Sequence, residues 1–180
     1  MPSDEYEVIP LLYPWPGWWS KIELFRPDIL NGNTIYFDLD TLIVADFTAI
    51  FACFRQHGFL MLDDWYGHSG VNSSMMAWTS TAKLYLSRIY EKFAAEPRKY
   101  RGLYNTKARW GDQGFIRDHT PIEPALWQKE FPGKIVSFKR DCQDGIPNGA
   151  CIVCFHGKPR PWKTPLWELS APRNSGPAPH

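Results

Sequence analysis

No long run of apolar residues occurs in this chain. The longest, over residues 41–54, is broken by Asp46 and followed at once by Arg55, which makes it too short and too charged to cross a bilayer. No basic stretch followed by an apolar one opens the sequence, so no secretory leader is read and a soluble, cytoplasmic protein is expected. Excess charge is lacking too: 20 Lys and Arg stand against 19 Asp and Glu, a net +1. No global field therefore draws the chain to nucleic acid or to an anionic membrane. Cysteine is sparse, with residues at 53, 142, 151 and 154. Cys151 and Cys154 have CxxC spacing but no second pair, and the intervening Ile152 and Val153 suit a strand, on which positions three apart face opposite sides. Buried free thiols are expected rather than a metal or redox centre.

What is abundant is aromatic. Phe, Tyr and Trp make up 16% of the 180 residues, with nine Trp. Most of these are expected in a core, although an exposed ring can stack on the face of a sugar. With 44% hydrophobic and 22% charged residues the composition is that of a globular protein. Residues 1–169 are read as a single domain, and the Pro-, Ser- and Gly-rich residues 170–180 as a disordered tail.

Strand and helix signals alternate, which predicts an α/β fold with a mixed sheet flanked by helices. Ser20 is placed to cap a short helix over 21–25. Strands are expected over 34–40, 59–62, 74–78, 134–138 and 150–155. Helices are expected over 47–57, 81–95 and 111–119, the second stopped by Pro97. His57, His68 and His119 belong to no motif and are left on the surface.

The chemistry-bearing feature is Asp38-Leu39-Asp40, at the C-terminal end of the apolar run Thr34-Ile35-Tyr36-Phe37. Two carboxylates separated by one strand residue project to the same face. At a strand end they offer oxygen ligands to a hard cation such as Mn²⁺ or Mg²⁺, which neutralises a departing diphosphate. Ligands of open α/β sheets gather at that edge.

Further segments carry a resemblance. Lys21-Ile22-Glu23-Leu24-Phe25 followed by Ile35-Tyr36-Phe37-Asp38-Leu39-Asp40-Thr41 is similar to the opening block of GT-A glycosyltransferases of family eight, the glycogenin-like enzymes. Asn72-Ser73-Ser74-Met75-Met76, Gly111-Asp112-Gln113-Gly114 and the segment from Cys154 through His156, Lys158 and Arg160 to Trp162 resemble the later motifs of that family, in family order. The resemblance implies a shortened GT-A-like fold and transfer of a sugar from a nucleotide donor, UDP-linked, to an unidentified acceptor hydroxyl, with retained configuration. It implies Asp38, Asp40 and His156 as metal ligands, and Lys21, Asp38, Ser73, Lys158 and Arg160 as donor contacts. Asn72, Asp112 and Gln113 would line the donor sugar and the reaction centre.

Three departures from the family pattern stand out. His156 directly precedes Gly157, where the family sets its His three residues earlier, the position of Cys154. Ser74 replaces a Gly. Only 20 residues precede Lys21, and they are Pro-rich, so the first strand and helix of the nucleotide-binding half are expected to be missing, leaving a sheet edge that invites self-association. Two alternatives follow: a non-catalytic binding protein derived from a transferase, and a haloacid-dehalogenase-like phosphatase, whose DxD also follows an apolar strand and whose late acidic pair Asp63-Asp64 would mimic.

Overall fold

The computed structural model of the protein describes residues 6–68 and 70–166, the side chain of Cys53 excepted. The tail expected over 170–180 lies outside the described residues. A 3₁₀ segment, Gly17–Phe25, precedes β1 (Thr34–Phe37) and β2 (Thr41–Ile43). Next come α1 (Thr48–Phe54), β3 (Phe59–Asp63), β4 (Val71–Trp78), α2 (Ser80–Ala95) and α3 (Pro97–Leu103). A short hairpin, β5 (Asn105–Thr106) and β6 (Arg109–Trp110), leads into α4 (Gly111–His119). Then follow β7 (Ala125–Leu126), α5 (Trp127–Glu130), β8 (Ile135–Ser137), α6 (Phe138–Asp141), β9 (Ile152–Cys154) and a 3₁₀ turn, Pro161–Lys163.

Apart from the β5–β6 hairpin, the strands among the described residues form two sheets rather than one. The larger has the order β1-β4-β3-β7, antiparallel except for the β3–β7 pair, and the smaller has the order β2-β9-β8. Alternation along β3 and β4 divides the core, as period-two side chains require. Phe59, Met61, Met76 and Trp78 face α2, α4 and the first 3₁₀ segment, packing with Trp19, Phe25, Leu86, Phe93 and Phe115. Leu60, Leu62, Met75 and Ala77 face the smaller sheet, where Ile152, Cys154 and Trp127 meet them. The far face of that sheet carries a third cluster around Leu42, Val153 and Phe155. Mixed sheets flanked by helices are thus the architecture.

Residues 34–40, expected as one strand, are divided. β1 ends at Phe37, Leu39 and Asp40 form a turn, and β2 begins at Thr41 in the other sheet. The Asp38 amide donates to the Ser74 carbonyl at 2.8 Å in the large sheet, whereas the Asp40 carbonyl accepts from the Phe155 amide at 2.9 Å in the small one. Asp38-Leu39-Asp40 is therefore the connection between two sheets.

Ser20 does not cap the first helical segment: its hydroxyl donates back to the Gly17 carbonyl at 3.0 Å, inside a 3₁₀ helix that begins earlier than expected. Thr79 caps α2 by accepting from the Ala82 amide at 3.2 Å. Pro97 follows the end of α2 and also opens α3, at a position where a missing N–H leaves no intrahelical bond unmade. Cys142, Cys151 and Cys154 are free and buried, as expected, and Cys151 and Cys154 both join the cluster between the sheets. No helix among the described residues is long and apolar enough to cross a membrane.

Candidate active site

Two cavities meet at the turn between the sheets. One, of about 430 Å³, is lined by Lys21, Asp38, Asp40, Asn72, Ser73, Asp112, Gln113, His156 and Arg160, among others. Every candidate residue from the sequence except Lys158 lies on it; Lys158 is exposed and lines neither cavity. The second cavity, of about 670 Å³, is mainly apolar, with Leu11, Leu24, Ile29, Leu39 and Trp162 on its wall. Trp18, Lys21, Asp38, Asp40 and Arg160 line both.

Local backbone irregularity builds the smaller cavity. Asn72, Ser73 and Ser74 are consecutive on β4, and a regular strand would turn every second side chain away. The β3–β4 register shifts between Leu60 and Leu62, and the bulge re-aims this segment so that all three line the cleft. Asn72 secures the bend, its Oδ1 accepting from the Ser74 amide at 2.8 Å. Gly111 (φ 57°) starts α4 in the left-handed region, which a side chain would resist. The next residue, Asp112, then reaches the cleft from the first turn of the helix without capping it.

Lys21 is the centre of the polar network. Its side chain is buried, with Nζ 2.9 Å from Asp38 Oδ1, 3.5 Å from Asp112 Oδ2 and 3.0 Å from Ser73 Oγ. The Ser73 hydroxyl donates to Asp112 at 2.6 Å and the Tyr36 hydroxyl to Asp38 at 2.6 Å. Burial alone would lower the Lys21 pKa, but the carboxylates of Asp112 and Asp38 outweigh it and hold the ammonium charged. Burial and the neighbouring Asp38 raise the pKa of Asp40, while Arg160, ion-paired with it, works the other way.

His156 packs against Trp65 and Tyr66, with ring centroids 4.7 and 5.7 Å away. Its Nε2 is buried without a hydrogen-bond partner among the described residues. Burial, and Lys139 after it, push its pKa down to about 4, so it is a neutral imidazole. A neutral imidazole and two carboxylates have the right chemistry for Mn²⁺ or Mg²⁺. Yet among the described residues no group of three His, Cys, Asp or Glu side chains is gathered to hold a metal ion. Asp38 is taken by Lys21 and Tyr36, and Asp40 by Arg160. As arranged, these side chains do not fit a metal.

Several lining residues stand outside the segments that resemble the transferase family. Trp18, Asp64, Tyr66, His68 and Trp110 all face the smaller cavity, so His68 is not a bystander on the surface. His57 lies 3.3 Å from Glu130, and His119 packs against Phe115 at 4.5 Å, both away from the cleft.

No family model matches the chain, and no curated protein matches it in sequence. Among solved structures it is similar to the glycosyltransferase GlyE of Streptococcus pneumoniae TIGR4, with a TM-score of 0.50 at 15% identity over 86% of this chain. The apo form of that enzyme is matched at 0.44 and 12% identity. The chain spans 42% of the length of that protein. What the two share is the fold, a glycosyltransferase-like α/β arrangement.

Proposed function

We propose that this chain transfers a sugar from a nucleoside-diphosphate donor, UDP-linked, to an acceptor hydroxyl. The observation that carries this is the placement of Lys21, Asp38, Asp40 and Arg160 on the wall shared by an apolar cavity and a polar one. A nucleotide sugar has the same three parts: a flat base with its ribose, a charged diphosphate and a polyhydroxylated ring. The base suits the apolar side beside Trp18 and Tyr36, the diphosphate the charged junction, and the sugar the side floored by Asn72, Ser73, Asp112 and Gln113.

In this scheme the bond from the anomeric carbon to the diphosphate breaks, and its electron pair leaves with the phosphate oxygen. The acceptor oxygen bonds to the anomeric carbon, and its proton passes to the departing diphosphate. Lys21, held charged, faces the developing negative charge, and the buried carboxylate of Asp112 faces the positive charge on the sugar. The junction pairs two cations with two carboxylates, so it carries no net charge of its own. The Mn²⁺ or Mg²⁺ implied by the sequence resemblance enters this scheme only as a variable to test.

The phosphatase alternative calls for a DxD strand inside a parallel β-α-β unit, whereas β1 pairs antiparallel with β4. The test is calorimetric titration of UDP and UDP-glucose into the protein, with Mn²⁺ and again with EDTA. Saturable binding that falls about tenfold or more in Arg160→Ala is expected, the scale of one lost charged contact. Absence of binding under both conditions, with the fold intact, overturns the proposal. Binding without release of the sugar, in hydrolysis assays with acceptor candidates, would favour the non-catalytic alternative.

A further inference from the structure

The smaller cavity has a polar floor and an aromatic lip. Asn72, Ser73, Asp112 and Gln113 are buried at its base, while Trp18, Tyr66 and Trp110 are 51%, 45% and 41% exposed around it. The exposed rings form a row with His68. Trp18 and Trp110 lie 6.3 Å apart at 30°, Trp110 and His68 5.4 Å apart at 23°, and His68 and Tyr66 6.1 Å apart at 37°. Four rings contributed by three segments thus tilt only moderately from one to the next.

The row is held in place. Buried Asp64 accepts from the amides of Tyr66 at 2.9 Å and His68 at 2.6 Å, which shapes the loop that presents both rings. Trp18 occupies the space left by the missing side chain of Gly111: a Cβ there would stand 2.6 Å from Trp18 Nε1. Large aromatic surface left in water is costly, and rings lined up on the rim of a cleft are a binding surface rather than unfinished core.

We infer that this lip binds a carbohydrate, and that the acceptor of the transfer proposed above is a sugar whose ring stacks on Trp110 and its neighbours. The inference rests on that proposal for the word acceptor, but not for the binding itself. Sugar rings pair apolar C–H faces with hydroxyl edges. Aromatic faces meet the first, and the carboxylates and amides of the floor meet the second. Charge argues in the same direction. With Lys21 and Arg160 assigned to the donor diphosphate, the carboxylates of Asp64 and Asp112 remain on the acceptor side of the cleft, which disfavours an anionic acceptor and leaves a neutral polyhydroxyl one unopposed. A lipid chain would bury these carboxylates against hydrocarbon at high cost.

The test follows tryptophan fluorescence while free oligosaccharides (lactose, cellobiose, maltose and chitobiose) are added in the presence of UDP. A threonine-containing peptide and zwitterionic phosphatidylcholine vesicles are run alongside. Saturable quenching by at least one saccharide is expected. Its apparent Kd should rise about tenfold or more in Trp110→Ala, recover most of that loss in Trp110→Phe, and change with no matching shift in thermal midpoint. No saturable response to any saccharide, equal affinity in Trp110→Ala, or a response to the peptide or vesicles alone overturns the inference. Saccharide binding by a protein that does not bind UDP would instead sink the transferase proposal and leave the carbohydrate site standing.

Discussion

Lys21, on the first 3₁₀ segment, and Asp112, on α4, meet 3.5 Å apart, with the Ser73 hydroxyl bonded to both. The Lys21 and Asp112 side chains are each under 10% exposed, so the ammonium is matched to buried charge rather than to water. Lys21→Met strands two carboxylates, Asp38 and Asp112, without their cation. Removing one partner of such a buried set costs about 3–5 kcal/mol. Ser73→Ala removes hydrogen bonds but no charge and should cost about 1–3 kcal/mol. Urea unfolding of the two variants should rank them in that order.

Asp40→Asn should separate stability from binding. The raised pKa of Asp40 means that its charge is less favoured in the folded state than in the unfolded chain. Below the ordinary carboxylate pKa both states hold the proton and nothing is lost. As pH rises from the ordinary carboxylate value to the raised folded one, the unfolded chain gives up a proton that the native state still holds, and the cost is complete once pH exceeds the folded value. Asp40→Asn removes that cost and should not lower the thermal midpoint at pH 7. It also releases Arg160, so UDP binding in EDTA should tighten. Weaker binding in EDTA would mean that Asp40 contacts the donor itself.

His156 ties stability to pH from the opposite side. Above about pH 6.5 the imidazole is neutral whether or not the chain is folded. Between there and about pH 4 the unfolded chain takes up a proton that the folded one resists, so stability falls as pH falls. The loss is on the order of 3 kcal/mol once complete. His156→Phe, beside Trp65 and Tyr66, should remove this component. It appears as a difference in the pH dependence of urea midpoints between wild type and variant.

Glu23 secures one wall of the larger cavity. Its carboxylate accepts from the amides of Leu12 at 2.7 Å and Tyr13 at 2.6 Å, and Arg26 pairs with it at 3.1 Å. Glu23→Ala frees residues 9–15 from this hold and leaves Arg26 with Asp28 as its carboxylate partner. Limited proteolysis should then cut within residues 9–15 at least about tenfold faster, the change expected if local opening becomes easier by roughly 1.4 kcal/mol. An unchanged cleavage rate would show that the packing of Trp15 on Tyr90 and Phe93 holds this segment instead.

Much of this was legible in the chain because its signals are local. The apolar run before Asp38 marks β1, and the periodicity of residues 81–95 marks α2. Gly111-Asp112-Gln113 marks the start of α4. The split of residues 34–40 between two sheets was not legible, since Thr41 and Leu42 continue a strand-like pattern and only pairing with β9 reveals the change. The burial of Lys21 was not legible, because its compensation lies in Asp38 and Asp112, which only the fold brings beside it. The aromatic lip is likewise non-local: Trp18, Tyr66, His68 and Trp110 acquire meaning only once three segments converge.

The turn Asp38-Leu39-Asp40 has a mechanical consequence. Asp38 moves with the large sheet, through Ser74, and Asp40 with the small one, through Phe155. Any change in the angle between the sheets must therefore alter the separation of the two carboxylates, with Leu39 as the pivot between them. A ligand that bridges Asp38 and Asp40, whatever its identity, would lock two layers of the protein together, and a rigidified inter-sheet core would report its arrival.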